Sequence, residues 1–269
     1  MLKNITLGQY FPGDSIVHRL DPRTKLLWLA GYITALFLAN NAWGYAFMLL
    51  VLAGEGAAAR IRPKTLLSGM KPLLFIVAFT ALINIFYGTG EPLLKLWVFT
   101  VTADGIRRAV YMVLRILLLV CGAFLLTYTT SPLSLTDGLE RLFAPLKKLH
   151  VPVSELAMMM SIALRFIPTL IEETDKIMNA QRSRGADFDT GKLTERAKNL
   201  APLLVPLFVS AFRRADELAT AMECRCYVPG MARSRMKALR FSPRDVFALA
   251  LCAGMVAAVA LLRRLGDII

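Results

Sequence analysis

The sequence has few of the residues that most catalytic and metal sites need. Its 269 residues include two histidines, His18 and His150, and four cysteines. The cysteines at positions 121, 224, 226 and 252 form no Cys-x-x-Cys pair, so the spacing of a structural zinc site is missing. We expect structural roles for both histidines, and neither a metal nor a cofactor. No acid, base, nucleophile and metal set converges, which disfavours an enzyme.

A nucleotide-binding loop is missing as well. The nearest approach runs from Gly185 to Leu193, with five residues between Gly185 and Gly191 and a leucine where the magnesium-binding hydroxyl should be. It also follows a predicted helix C-terminus, where the dipole is negative and a phosphate needs positive charge. The chain itself is therefore not expected to hydrolyse ATP.

Acidic residues are scarce, with 19 Asp and Glu against 32 Lys and Arg, a formal net charge of +13. Such an excess is compatible with nucleic-acid binding. Here the basic residues gather beside long apolar runs, which orientation in a membrane explains more simply. Since 56% of the residues are hydrophobic, the sequence predicts a multi-pass protein of a prokaryotic cell membrane and no nucleic acid partner.

The first apolar run has no charged residue from Leu26 to Gly54 and is too long for one span of about 20 residues. Asp21 and Pro22 are typical of a helix start. The polar stretch Asn40–Gly44, with Trp43 as an interfacial residue, predicts a tight turn between two spans. A basic loop with Arg60, Arg62, Lys64 and Lys71 is expected to follow in the cytoplasm.

Two further spans are predicted before residue 131. One runs from Pro72 to a turn signal at Tyr87–Gly90, and the other from Gly105 to about Thr130. Between them, residues 93–102 alternate enough for an external hairpin or an interfacial segment. In the last of these spans, Arg115 is expected to face a protein or water-lined interior, because an arginine inside a span is costly.

The chain becomes charged after Pro132, which predicts a cytoplasmic region. An amphipathic helix is expected from Asp137 to Leu149, and Ser154 starts a helix of about 30 residues. Its apolar start is interrupted by Arg165 and Pro168 before it can span a bilayer. A second apolar stretch, 200–212, is short and broken by Pro202 and Pro206. Both are predicted to lie along the membrane interface or under partners.

The last span is predicted from Val246 to Leu262. Five basic residues in 231–244 indicate that it enters from the cytoplasm, with the N-terminus inside and the C-terminus outside. The expected fold is an all-α membrane protein with about five transmembrane helices plus cytoplasmic amphipathic coupling helices. Residues 1–131 form a membrane region with four spans, 132–244 the coupling-helix region, and 245–269 the last span and C-terminus.

A short repeat ends the two long helical segments of the coupling region. Asp175, Ala180 and Arg184 recur at an offset of 41 residues as aspartate, alanine and Arg225. Small residues flank both arginines, at positions 183, 185, 224 and 226. Each arginine alone is an ordinary cation at a helix C-terminus. In a repeated context the two are better interpreted as paired plugs that form bidentate bonds with carboxylates of a partner.

These endings carry a family resemblance. Ala180-Gln-Arg-Ser-Arg-Gly-Ala-Asp-Phe and Ala221-Met-Glu-Cys-Arg-Cys-Tyr-Val-Pro-Gly resemble the paired Ala-Arg-Gly motifs of the transmembrane (T) component of energy-coupling factor transporters. The stretch Pro12-Gly-Asp-Ser-Ile-Val-His-Arg-Leu-Asp-Pro-Arg-Thr-Lys-Leu is similar to that family's N-terminal signature. The sequence departs from the motifs at Ser183 and Cys224, where alanine is expected, and at Cys226, where glycine is expected.

The resemblance implies a scaffold subunit that works with three partners in the bilayer. Two ABC-type ATPase subunits would dock on Ser183, Arg184, Gly185, Cys224, Arg225 and Cys226, with ATP hydrolysis supplied by those subunits. Their cycle would reorient a substrate-binding membrane subunit for uptake of a vitamin or metal ion.

Three features keep a second interpretation. Met158, Met159 and Met160 are either filler of an apolar helix or an adaptable surface for the substrate-binding subunit. Cys224 and Cys226 are either a redox pair or, as we favour, small packing residues. A self-contained secondary transporter is the alternative function, disfavoured because Glu55 is the one candidate for a buried carboxylate in a span.

Overall fold

The computed structural model describes residues 10–86, 92–96, 99–186, 188, 193–231 and 239–266. The chain divides into two compact units. We call the unit made of Gly8–Gly138 and Ala238–Ile269 the membrane unit, and Leu139–Lys237 the coupling unit. The predicted turn at Tyr87–Gly90 lies outside the described residues.

Helices dominate the membrane unit. They are α1 (Pro22–Leu38), α2 (Ala42–Ala59), α3 (Pro63–Gly69), α4 (Leu74–Phe86), α5 (Ala103–Thr129) and α9 (Pro243–Gly266), with a 3-10 turn at Lys71–Leu73. A short antiparallel hairpin, β1 (Pro92–Leu96) and β2 (Phe99–Thr102), precedes α5. The first of the two readings of residues 93–102, a hairpin, is therefore the observed one.

Four helices are long and apolar enough to cross a membrane: α2, α5, α7 and α9. A fifth is obtained if α3 and α4, which bend by 41° at their junction, form one span. The 17 residues of α1 reach the lower limit of about 17 residues for a span. The predicted all-α membrane class with about five spans is confirmed.

The core of the membrane unit forms where α1 meets α2, α5 and α9. Tyr32, Leu36, Met48 and Val259 are fully buried there. Two glycines allow the close approach. A Cβ on Gly31 would lie 2.3 Å from Cys252 Sγ, and one on Gly122 would lie 2.7 Å from the Tyr32 ring. Arg115, as predicted, faces protein: its guanidinium donates to Ala39 O at 3.2 Å.

The N-terminal signature ties α1 to its neighbours. Asp21 caps α1, and its backbone N–H donates at 2.8 Å to the buried carboxylate of Asp245, which also accepts from Ser242 N at the start of α9. Lys25 Nζ donates to Thr129 O at 2.9 Å at the end of α5. His18 has the structural role expected, because its ring bonds Ser15 Oγ at 2.6 Å and Phe11 O at 3.1 Å.

The coupling unit is built on two long helices. They are α7 (Val153–Ser183) and α8 (Leu193–Cys224), preceded by a 3-10 turn at Ala144–Leu149. A further helix, α6 (Pro132–Leu142), leads from the membrane unit into it. The predicted helix start near Ser154 and its length of about 30 residues are confirmed by the 31 residues of α7.

Four local predictions were wrong. The basic stretch after α2 is not all loop, because Pro63 starts the short helix α3. The helix placed at 137–149 begins at Pro132 and gives way to a 3-10 turn at Ala144. By length and composition α7 also qualifies as a span, despite Arg165 and Pro168.

The fourth error concerns α8, which runs unbroken through Pro202 and Pro206. A proline has no N–H, so Pro206 leaves the carbonyl of residue 202 without its helical donor. Gln181 Nε2 of α7 donates to that carbonyl oxygen at 3.4 Å. A tertiary hydrogen bond thus replaces the missing one, and the helix continues.

Candidate coupling site: two matched helix ends

The ends of α7 and α8 have the same hydrogen-bond pattern. At α7, Gly185 N donates to Arg182 O and Ala186 N to Gln181 O, each at 3.0 Å. At α8, the residues 41 positions later do the same: Cys226 N donates to Glu223 O at 2.8 Å and Tyr227 N to Met222 O at 3.0 Å. This pair of bonds is the Schellman motif, which satisfies the last carbonyls of a helix.

Each motif needs one residue with a left-handed backbone. Gly185 has φ of +88° and Cys226 has φ of +55°. Only glycine adopts this conformation freely, and another residue there costs about 1–2 kcal/mol. The departure from glycine at Cys226 therefore affects the cap's stability without changing its geometry.

Both arginines sit at the helix ends with their side chains exposed. Residues 182–185 and 223–226 are exposed, and the residues on either side of each group are half-buried. In the described part of the chain, neither the Arg184 nor the Arg225 guanidinium makes a hydrogen bond or ion pair with another residue. We call these two exposed groups the arginine tips. Each presents a cation with five unused donors beside small residues.

The tips belong to helices that cross at equivalent positions. Glu173 of α7 accepts a hydrogen bond from Ser210 Oγ and pairs with Arg214 Nη2 at 2.7 Å, both on α8. Glu173 and Arg214 are 41 residues apart, which is the offset of the repeat. A contact between equivalent residues of two copies is what a local two-fold relation produces.

The two helices run antiparallel. Moving from the end of α7 toward its start, Gln181 bonds Pro202, Glu173 bonds Arg214, and Glu155 accepts from Gly230 N at 3.0 Å. Each tip lies 11 residues beyond the Glu173–Arg214 pair, which is about 16 Å of helix. The tips therefore point away from opposite ends of the helix pair.

The methionine group lies near the start of α7. Met158 is half-buried, whereas Met159 and Met160 are 53% and 48% exposed. Because Glu155 contacts Gly230, this part of α7 is at the end of the helix pair where α8 terminates. The structure does not bring these methionines together with the tip of α7.

Sequence reasoning missed the crossing residues Glu173, Ser210 and Arg214. A signal for two of them was present, since the offset that aligns the tips also aligns an acid with a base. It predicts that the two helices meet at those positions. Gln181 carried no signal, because its role depends on a proline in the other helix.

The cap at the end of α8 gives a direct prediction. Cys226→Gly is expected to stabilise that cap by about 1 kcal/mol, because it removes the left-handed strain. Gly185→Ala should weaken the α7 cap by a similar amount. Hydrogen exchange of the amides at 226–227 and 185–186 measures both, with about fivefold slower exchange in the first variant and faster exchange in the second.

The control is Ser183→Ala, which alters a tip residue with ordinary helical backbone and should leave amide exchange at 185–186 within about twofold of the parent. Faster exchange at 226–227 in Cys226→Gly would contradict the strain assigned to Cys226.

The fold and the site together define a helical membrane protein whose long paired helices present two matched cationic ends. The chain matches the family model described as cobalt transport protein over residues 13–237. It is 53% identical over 246 residues to the energy-coupling factor transporter transmembrane protein of Ruminiclostridium cellulolyticum, covering 91% of this chain and 92% of the relative. The chain therefore belongs to the family of energy-coupling factor transporter transmembrane proteins.

Two further relatives carry the same name. That of Clostridium kluyveri is 50% identical over 267 residues, 98% of each chain, and that of Bacillus subtilis is 48% identical over 246 residues, 91% of this chain and 93% of the relative. These likenesses confirm the predicted family, the role as a transmembrane transporter component and the multi-pass location in the cell membrane. They favour this role over a self-contained secondary transporter.

Proposed function

We propose that the two arginine tips each dock one ABC-type ATPase subunit and transmit its movement to the membrane unit. The observation that supports this most is the repetition of the whole tip, including the cap hydrogen bonds, the left-handed residue and the exposed arginine. A helix that merely ended with a cation would not need the same cap 41 residues later. Two equal tips fit two equal partners.

The local two-fold relation supports the same proposal. Identical subunits associate most often with two-fold symmetry. A helix pair that crosses at Glu173 and Arg214 and carries one tip at each end offers the same surface to each member of such a pair. The tips, Ser183, Arg184 and Gly185 on α7 and Cys224, Arg225 and Cys226 on α8, are the proposed contact residues.

The chemistry of the tips predicts an acidic groove in each ATPase subunit. A guanidinium is always charged and forms two parallel hydrogen bonds with a carboxylate. The small side chains at 183, 185 and 224 let the partner backbone approach. Docking desolvates both charges, so loss of either member is costly.

A third partner, a substrate-binding membrane subunit, is proposed to contact α7 at Met158, Met159 and Met160. Two of these side chains are exposed, and methionine adapts to surfaces of different shape. Movement of the ATPase pair would then shift α7 and α8 and reorient the substrate-binding subunit for uptake of a vitamin or metal ion. In this arrangement residues 132–244 form the cytoplasmic coupling region, between the membrane regions 1–131 and 245–269.

The experiment that tests the proposal is ATP hydrolysis by defined mixtures. The purified chain alone, in lipid, is expected to show no magnesium-dependent turnover, because no segment combines closely spaced glycine amides with a lysine and a hydroxyl. Addition of two ATPase subunits should give turnover, and transport should need the substrate-binding subunit as well. Sustained hydrolysis by the chain alone would contradict the scaffold role.

A further inference from the structure

A cavity of about 420 Å³ lies in the membrane unit, apart from the arginine tips. It is enclosed by the first turns of α1 and α9 and the last turns of α2 and α5, whose ends share one side of the unit. Its wall is almost wholly apolar, and its volume falls in the usual range of about 300–1,000 Å³ for small-molecule sites. At Gly54, in the wall, an added Cβ would meet no atom within 4 Å.

The cavity contains the one acidic side chain of its wall, Glu55. The Glu55 Oε1 atom is buried and has no hydrogen-bond partner in the described structure. The indole N–H of Trp28 and the hydroxyl of Thr24, both in the same wall, are also buried and unpaired. A buried polar atom without a partner costs about 1–3 kcal/mol, so these atoms favour a ligand that supplies what they lack.

The nearby ammonium group does not satisfy them. Lys25 lines the cavity as well, but its Nζ donates to His18 O, Thr129 O and Thr130 Oγ1 at 2.9–3.3 Å. These three acceptors use the three donors of an ammonium. Glu55 is therefore left as an acceptor, and Trp28 as a donor, facing an apolar space.

The pair of unmet atoms selects among head groups. A carboxylate would accept from Trp28 but repel the Glu55 carboxylate. An ammonium would pair with Glu55 but offer nothing to the Trp28 N–H. A hydroxyl donates one hydrogen bond and accepts another, so it serves both. The apolar remainder of the wall suits an alkyl chain, whose burial contributes about 0.8 kcal/mol per CH₂.

We propose that this cavity binds one molecule that has an apolar chain and a terminal hydroxyl group, with the hydroxyl donating to Glu55 and accepting from Trp28. Molecules of this kind include long-chain alcohols and glycerol esters of fatty acids, which share the same hydroxyl-headed chain. The inference does not depend on the arginine tips, because every residue in it belongs to the membrane unit.

The test measures quenching of Trp28 fluorescence in the full chain held in lipid nanodiscs. Trp43→Phe and Trp97→Phe leave Trp28 as the one tryptophan. A bromine-tipped undecanol is the probe, with bromine-tipped undecane and bromine-tipped undecanoic acid of equal chain length for comparison. Quenching by the alcohol should saturate at about tenfold lower concentration than quenching by either of the others.

Two variants and one control complete the experiment. Glu55→Leu should abolish the preference for the alcohol, and Gly54→Leu, which fills the cavity, should abolish saturable quenching by all three probes. A chain that keeps only Trp43, which is 76% exposed and lies at the opposite ends of α1 and α2, should show only the linear quenching of a lipid-dissolved probe. A glyceryl monoester with a brominated chain, used in place of the alcohol, reports whether the ester also binds.

Linear quenching of Trp28 by the alcohol, or equal affinity for the alcohol and the alkane, would overturn the proposal. Retention of the alcohol preference in Glu55→Leu would overturn it as well. If Glu55→Leu does not fold, Glu55→Gln replaces it. That variant keeps an acceptor oxygen but loses the charge, and its preference for the alcohol should fall by about threefold instead of disappearing.

Discussion

Reversal of both tip charges, Arg184→Glu with Arg225→Glu, is expected to abolish recovery of the ATPase subunits with this chain. Removal of one partner from a desolvated ion pair costs about 3–5 kcal/mol, which lowers a binding constant by a factor of roughly 100 to 1,000. A glutamate would in addition face the acidic groove. Co-purification through a tag on the chain, with each single variant beside the double variant, measures the loss.

A matched control separates docking from general charge effects. Arg213→Glu reverses an arginine that pairs with Glu217 on the surface of α8, with side chains 81% and 67% exposed. Exposed pairs of this kind contribute about 0–1 kcal/mol, so the ATPase subunits should be recovered normally. Normal recovery with the double tip variant would mean that the tips are not docking groups.

Exchange of the charges at the helix crossing gives the second large effect. Glu173→Arg or Arg214→Glu alone places two like charges where α7 and α8 meet, and Ser210 loses its acceptor in the first variant. The side chains are 22% and 36% exposed, so the loss is expected at about 1–2 kcal/mol. That is about tenfold in the yield of assembled complex.

The double variant, Glu173→Arg with Arg214→Glu, restores an acid and a base at the crossing and should recover most of the yield. Because the two positions are equivalent in the repeat, an exchange of their residues keeps the local two-fold relation. Crosslinking of α7 to α8 or hydrogen exchange along both helices checks that the crossing is re-formed. A double variant as defective as the singles would show that the pair does not join the helices.

The parts of the fold that follow from local chemistry were predictable from the sequence. Asp21 and Pro22 mark the start of α1, and the uncharged runs place the spans. The repeat placed both helix ends at the arginines. All of these depend on residues that are neighbours in the chain.

The parts that depend on distant contacts were not predictable in the same way. The continuity of α8 rests on Gln181, which supplies a hydrogen bond from another helix. The cavity requires the ends of four helices to meet, so Glu55 stood out in the sequence without a setting. Prolines and single charges were given too much weight as breaks, because their cost is offset by tertiary contacts.

The most direct test of the coupling role is photo-crosslinking from the tips themselves. A benzophenone amino acid at position 183 or at position 224, next to each arginine, is irradiated in membranes that contain the complete transporter. The proposal predicts that both positions crosslink to an ATPase subunit, whereas the same amino acid at Asn41, between α1 and α2, does not. Crosslinks from 183 and 224 to the substrate-binding subunit or to lipid alone would contradict it.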